Sequence, residues 1–552
     1  MSSLKTLLRT FSTMTNRTPR GAVAASGYKC AQIGAAILEK GGSAVDAAIA
    51  SMLGEGVAVP NTMGLGGGFI MTVYIKDKGV VETLDAREVA PGGASEDMFC
   101  GDSSLSTKGG LAVAVPGELK GYWEVYKKYG GKVPWRDVVQ PTIDLCNDGI
   151  LVTEFVERVS LADTELLKND ECLRETFIDP KTNRPYPRGH CVTRPRLAKT
   201  LELIAENGVD ALYDGSLTAN FVQDICEKGG IITTEDMKNY KPEWRTPVKA
   251  SLPCDRTLYT SPLPGSGVVL TLILNILGDF LDCSQPSSLT NWQRIVESFK
   301  FGFGRRTELG DPSFADFTNL VADLTSTSYA KDIRSKISDS RTCQNPDYYG
   351  AHITPPGHGT ANICVLAPNG DAVAATSSIN LDFGAGFMSK STGIILNNVM
   401  DDFSSPSIIS SYHMPPSEVN YIKPGKRPLS SMCPTVILGN NCDVEMVIGA
   451  AGGPKIITSI TLALIKHLWY GVGIQAAVSD KRLHHQLFPM LIEFEESYKN
   501  DVDLVKALHE IGHDYKLTPS IGFNAVTAIS RKGGVLEAAI DPRRGGEKVF
   551  VY

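Results

Sequence analysis

Apolar and polar positions along the chain separate stretches of helical period from stretches of strand period. Residues 43–53 (SAVDAAIASML) are apolar on nearly every side and read as a buried, alanine-rich helix. Residues 69–75 (FIMTVYI) read as a strand. From about residue 117 to 338 the helical period dominates, over 119–128, 197–206 and 290–303, with a strand-like patch near 257–261. Residues 340–359 (SRTCQNPDYYGAHITPPGHG) carry three prolines and three glycines and no apolar period. They read as a long exposed loop, and loops of that length inside a folded domain are usually functional. Short strands follow at 362–367, 372–377, 393–396, 435–438 and 444–448, then a helix over 456–468, then strands at 525–529 and 535–540. Helices outside strands predict a layered α/β protein.

The longest apolar runs, 268–277 and 456–465, are shorter than the roughly 18–20 residues of a membrane span and read as core helices. The first 38 residues hold no Asp or Glu, and Leu4, Leu7, Leu8 and Phe11 fall at helical spacing around Lys5 and Arg9. That pattern fits a short organelle-targeting segment or a frayed tail, so residues 1–20 are set apart and the compartment stays open. Composition narrows the class further. The 552 residues carry 54 Lys and Arg against 61 Asp and Glu, a net charge of −7, with 42% hydrophobic and 21% charged residues. This excludes a disordered chain, a collagen and a coiled coil, and argues against a nucleic-acid partner, which would call for a basic excess. The twelve cysteines are scattered singly, without a CxxC pair, so neither a disulfide scaffold nor a zinc ribbon is predicted.

The candidate chemistry lies just after the long loop. Pro368-Asn369-Gly370 is a three-residue turn: Pro fixes φ, Asn suits the next position and Gly accepts the left-handed one. Such a loop pairs Ala367 with Asp371, places Thr360 opposite Ser378, and leaves Asn380 one step further on the same face. A two-residue loop would put Ile379 there instead. A Gly-Thr junction between a loop and a strand suits self-cleavage. The Thr360 hydroxyl would attack the Gly359 carbonyl to give an ester. Hydrolysis would free a threonine whose α-amine, with an ordinary pKa of about 7.7–8.0, acts as base for its own hydroxyl. An ordinary strand threonine has the same local sequence.

A set of longer motifs then narrows the choice. They are GGSAVDAAIA (41–50), MGLGGGFI (63–70), AREVAP (86–91), AVPGELKGY (114–122), LGDP (309–312), GTANICVL (359–366), ATSSINL (375–381), NNVMDDFSSP (397–406), PLSSMCPT (428–435) and GAAGGPKI (449–456). In this combination the chain resembles the γ-glutamyltransferases (glutathione hydrolases) of the amino-terminal-nucleophile hydrolase superfamily. The resemblance implies a four-layer αββα sandwich, cut between Gly359 and Thr360 into a large subunit (21–359) and a small catalytic subunit (360–552). It implies transfer of the γ-glutamyl group of glutathione and related compounds, through an ester on Thr360, to water, amino acids or dipeptides, without metal or organic cofactor.

By the same resemblance Thr360 is the nucleophile and Ser378 orients it. Arg87, Ser430 and Ser431 hold the donor α-carboxylate, Asn380 and Asp402 hold its α-ammonium, and Gly452 and Gly453 present N–H groups to the oxyanion. Val399 stands where the family usually has Glu or Gln on the α-ammonium, and Val cannot accept that hydrogen bond; the expected result is weaker donor binding or altered preference. Asp382 replaces an aromatic near the mouth of the site. Cys30 and Cys172 each match one half of a family disulfide. The family implies the plasma membrane or the exterior. The alternatives are a binding paralogue with weakened catalysis, suggested by Val399 and Asp382, and a related acylase on another amide.

Four other signals carry no such chemistry. His509-Glu510-Ile511-Gly512-His513 matches HExxH, but Gly512 is a helix stop that should leave His513 off the helical face. Gly64-Leu65-Gly66-Gly67-Gly68 runs into a strand, not a phosphate-binding helix. Gly265-Ser266-Gly267 lacks nucleophile-elbow spacing. His484-His485 reads as a packed or solvated pair.

Overall fold

The structure is a computed structural model that describes residues 20–351, 359–406, 416–520, 523–545 and 550–551. The amino-terminal helical pattern and part of the long loop lie outside them. In chain order the main strands are β1 (Ala22–Ala24), β2 (Gly68–Ile75), β3 (Val80–Ala86), β4 (Glu243–Arg245), β5 (Val248–Leu252), β6 (Arg256–Thr260), β7 (Gly359–Leu366), β8 (Ala372–Asn380), β9 (Thr435–Leu438), β10 (Val444–Ala451), β11 (Ala525–Lys532), β12 (Val535–Ile540) and β13 (Phe550–Val551). They form two antiparallel sheets. One runs β13-β1-β7-β8-β2-β3-β4 and the other β12-β11-β10-β9-β6-β5.

The helices used below are α1 (Cys30–Glu39), α2 (Ala44–Ala58), α3 (Glu118–Tyr129), α4 (Trp135–Asp148), α5 (Pro195–Asn207), α6 (Gly267–Leu277), α7 (Leu289–Arg306), α8 (Lys455–Leu464) and α9 (Val502–Glu510). Strand alternation decides what packs where. Ile363 and Val365 of β7 join a core with α1 to α5, whereas Cys364 and Leu366 of the same strand join Val436 and Val447 of the second sheet. Met446 and Ile448 of β10 turn the other way, into a core with α6, α7 and α8. Both faces of the central strands are therefore covered, which is why β7 and β8 are buried along their whole length, the polar Asn362, Thr376 and Ser377 included.

Helix α2 shows the local logic. Ser43 caps it: its hydroxyl accepts from Asp46 N (3.1 Å) and Asp46 Oδ2 accepts from Ser43 N (2.9 Å), a reciprocal box. The glycines of 64–68 serve contact rather than phosphate. A Cβ on Gly67 would lie 2.2 Å from Ser378 O, and Gly67 O accepts from Gly117 N (2.9 Å) and Glu118 N (3.0 Å). Residues 393–396 depart from the strand expectation, forming only an isolated bridge between Met388 and Ile395. β3, β4 and β5 lie where the sequence pattern predicts no strand, because β3 mixes Glu, Thr and Asp among its apolar residues.

Candidate active site

The β7–β8 hairpin places the threonine. Ala367 N donates to Asp371 O (2.9 Å) and Gly370 takes φ 92°, as the three-residue turn requires. The register then runs from Leu366 opposite Ala372 to Ala361 opposite Ser377. Beyond that it slips, and Gly359 faces Asn380. Ser378 and Ile379 thus oppose the single residue Thr360, a bulge at the head of the strand, with Asn380 in the left-handed region (φ 75°). Both expected partners sit near Thr360, but the bulge changes their roles in the unbroken chain. The Ser378 hydroxyl donates to Gly359 O and accepts from Asn380 N (2.8 Å). The Thr360 hydroxyl also donates to Gly359 O (2.5 Å). The junction carbonyl therefore receives two hydroxyls. From the other side Arg544 Nη1 donates to Thr360 O (2.6 Å), clamping the same short segment.

A cleft of about 440 Å³ opens over this junction, lined by Thr360, Ser378, Asn380, Arg87, Asp402, Ser430, Ser431 and Gly453 among others. Arg87 follows β3. Its side chain is 1% exposed and Nη2 donates to Asp402 Oδ2 (2.7 Å), while Nη1 pairs with Glu88 (3.2 Å). Tyr240 OH fixes its backbone by donating to Arg87 O (2.8 Å). Burial would lower the Arg87 pKa, but Glu88, Asp402 and Asp85 outweigh it and raise it. Burial pushes Glu88 up to about 7 against the pull of Arg87. Asp402 ends a short turn (Val399–Asp402), next to Asp401. Burial lifts the Asp401 carboxyl to about 6, and Ser106 donates to it (2.6 Å).

The opposite wall comes from the approach to β9. Arg306, the last residue of α7, donates from Nη2 to Ser431 Oγ (3.2 Å) and from Nε to Ser266 Oγ (3.3 Å). Ser266 in turn donates to Ser430 O (2.5 Å). Burial pulls the Arg306 pKa down to about 10, partly opposed by Asp402. Between β10 and α8, Gly452 and Gly453 both take positive φ (119° and 59°), a pair of conformations that turns the backbone sharply into the helix. Gly453 lines the cleft; Gly452 does not, and a Cβ there would lie 2.4 Å from Asn524 Cβ.

Two expected positions come out differently. Val399 is fully buried and packs with Phe99, Ala114 and Phe403 in a small apolar cluster, off the cleft wall. Asp382 is likewise off the wall; Asn61 Nδ2 donates to it (2.7 Å), and with burial it raises the Asp163 carboxyl to about 6. Arg306, Asn420 and Arg544 were not predicted. Asn420 joins the walls, donating to Asp402 O (2.8 Å) and accepting from Leu429 N (3.0 Å). The two arginines lie in Arg-Arg pairs, 305–306 and 543–544, the first just ahead of LGDP and the second in DPRRGG.

The HExxH match does not converge. His509 ends near the last turn of α9 and donates to His513 O (3.0 Å), while His513 Nε2 meets Gln293 Oε1 (2.7 Å). No group of three metal-ligating side chains occurs among the described residues. His484 and His485 are both packed inside. All twelve cysteines are free, Cys30 and Cys172 included.

In fold, the chain is similar to a solved acylase structure. It superposes on cephalosporin acylase from Bacillus halodurans with a TM-score of 0.83, covering 98% of both chains at 24% identity. By sequence the chain belongs to the γ-glutamyltranspeptidase family, whose description matches residues 30–551. It is 41% identical to scoloptoxin SSD14 of Scolopendra dehaani over 95% of this chain and 91% of that protein. It is 37% identical to glutathione hydrolase proenzyme 1 of Schizosaccharomyces pombe over 95% of this chain and 83% of that one.

Proposed function

We propose that the chain is a self-processing γ-glutamyltransferase and glutathione hydrolase, with the layers helices, sheet, sheet, helices of an αββα sandwich. One observation carries the reading. Arg87 and Asp402, of opposite charge and 2.7 Å apart, face Thr360 across one cleft. An α-amino acid bears its carboxylate and ammonium on one carbon, so a site for it needs adjacent complementary charges. The donor head exchanges one ion pair for two, with its carboxylate on Arg87, Ser430 and Ser431 and its ammonium on Asp402 and Asn380. Its γ-carbonyl then points along the remaining length of the cleft, toward Thr360.

Processing begins with attack of Thr360 Oγ1 on the Gly359 carbonyl carbon, the peptide nitrogen leaving with the hydroxyl proton. The Ser378 hydroxyl already donates to the oxygen that gains charge. Water opens the ester, and the large and small subunits remain packed as one body. The freed α-amine takes the Thr360 hydroxyl proton as the oxygen attacks the donor γ-carbonyl, and hands it to the departing amine. The N–H of Gly453, on the cleft wall, stabilises the tetrahedral oxyanion, with that of Gly452 beside it in the same turn. Water or the amine of an amino acid or dipeptide then takes the acyl group. No cofactor enters these steps.

Mass spectrometry of the purified protein tests the reading: a fragment beginning at Thr360 is expected, together with release of the anilide from a chromogenic γ-glutamyl donor that rises with added dipeptide. An intact but active chain would overturn it. A processed chain that turns over other acyl amides, and not γ-glutamyl ones, would assign it to the acylases. A location at the plasma membrane or outside the cell rests on the family resemblance; among the described residues no helix is long and apolar enough to cross a membrane.

A further inference from the structure

We propose that a second cavity, remote from Thr360 and independent of the functional reading above, binds a small monoanion against Arg194. The cavity lies between α2, α5 and residues 394–395 and has room for about one water-sized species. Its walls are almost wholly apolar, with Met52, Val57, Met63, Leu197, Leu201 and Ile394 among them. Arg194 is set into this lining and is 5% exposed.

The charge on Arg194 lacks a counter-charge. Its Nη2 donates to Gly393 O (2.8 Å), and no other side-chain hydrogen bond and no ion pair of this residue occurs among the described residues. The titratable group that faces it is Cys146, and burial pushes that thiol up to about 11, so it stays neutral at physiological pH. Tyr122, the other polar residue on the wall, donates its hydroxyl to Glu118. The end of α4 offsets part of the charge, since Arg194 N donates to Cys146 O (2.9 Å). The amino end of the thirteen-residue α5, which begins at Pro195, adds positive potential. A guanidinium stays protonated even when buried. Buried charges in folded proteins are paired or bound to ions, and this one has a cavity where the partner would sit. An apolar chamber of that size with one fixed cation suits a halide, and disfavours larger, multivalent or strongly hydrated anions.

Such an anion would also brace the segment that reaches the catalytic cleft. Arg194 holds Gly393 O, and Thr200 on α5 donates to Thr392 O (2.8 Å). The same segment continues to Asn397, which spans Gly66 O and Ala114 O (2.7 and 2.8 Å), and then to Asp402.

Crystals of the processed full-length protein grown in sodium bromide test the proposal. A bromine anomalous peak is expected at the Arg194 guanidinium. In solution, bromide should raise the melting temperature saturably at constant ionic strength held with gluconate, which is too bulky and polar for the chamber. The Arg194→Gln variant should lose that rise. A rise with bromide and not with the bulkier butyrate supports a site of halide size; an equal rise with butyrate would overturn it. Absence of the anomalous peak at Arg194, or a bromide effect equal in wild type and variant, would overturn it. If the variant does not fold, the wild-type anomalous map decides alone.

Discussion

Thr360 and Ser378 stand on adjacent central strands whose register is set by one short turn, whereas Arg87, Asp402, Ser430 and Ser431 arrive on loops from three distant parts of the chain. The first wall is held by ladder hydrogen bonds and packing on both faces. The second is held by side chains that grip one another: Arg87 on Asp402, Arg306 on Ser431, Asn420 on Asp402 and Leu429. Under the proposed function the difference matches different tasks. A nucleophile needs one fixed position relative to the bond it breaks, and a central strand gives that. A recognition wall needs matched charges, which can be assembled from loops if each is pinned by its neighbour.

Substitutions can break or sharpen this contrast. Thr360→Ala should have the largest effect, leaving one uncut chain and lowering kcat/KM by at least about 10³-fold; a gel and an anilide assay read both. Val399→Glu tests whether the family position faces donor or core. Because Val399 packs among apolar residues, an unpaired carboxylate there should destabilise by about 3–5 kcal/mol, seen in denaturant unfolding, without tightening donor KM. A stable variant with a lower KM would place the side chain on the donor after all.

Arg87→Lys keeps the charge but loses the fork, and should cost roughly 10–100-fold in kcat/KM, the equivalent of about 1.5–3 kcal/mol. Arg306→Met leaves the hydroxyls of Ser431 and Ser266 without that donor; donor KM should rise about tenfold with processing intact, because the two serines belong to the loop wall.

The smallest effect expected is a pH slope. Burial raises the Glu118 pKa to about 8, against the hydrogen bonds from Tyr122 and Ser377. The folded chain therefore keeps a proton there that the unfolded chain releases near its ordinary value of 4.5. Between these values the unfolded state binds fewer protons, so stability falls as pH rises, by up to about 1.4 kcal/mol per unit. Glu118→Gln should flatten that fall in a melting series from pH 5 to 8; an unchanged slope would show that Glu118 is ionised in the fold.

The hairpin wall was legible in the residues. Pro368-Asn369-Gly370 sets the loop length, and the loop length sets every pair down to Ala361 and Ser377. What the turn could not reveal is the slip at Thr360, because a bulge depends on what holds the strand ends, here Asn398 accepting from Asn380 Nδ2 (3.1 Å). The loop wall was legible only through likeness to a family, since nothing in local pattern brings residue 87 to residue 402. That route carries a position without its surroundings. It named Val399 only as a family donor position that cannot make the contact, and was silent on the cluster with Phe99 and Phe403 in which it packs. It passed over Arg306, whose signal was merely a charged pair at the end of a helix that carries other charged residues, Arg294, Glu297 and Lys300. The Gly512 stop was enough to dismiss HExxH, because a helix end is a local property.

The strand order of the main sheet has a further consequence. β1, from before the Gly359–Thr360 junction, lies between β13 and β7, both from after it, and β9 and β6 join the two segments again in the second sheet. Once the backbone is severed, the halves are woven together like the fingers of two hands, and neither sheet is complete in either piece. Renaturation of the cut protein then becomes a second-order reaction: a dilute solution of separated fragments should recover more slowly than a concentrated one, whereas the uncut precursor should recover at a rate indifferent to dilution.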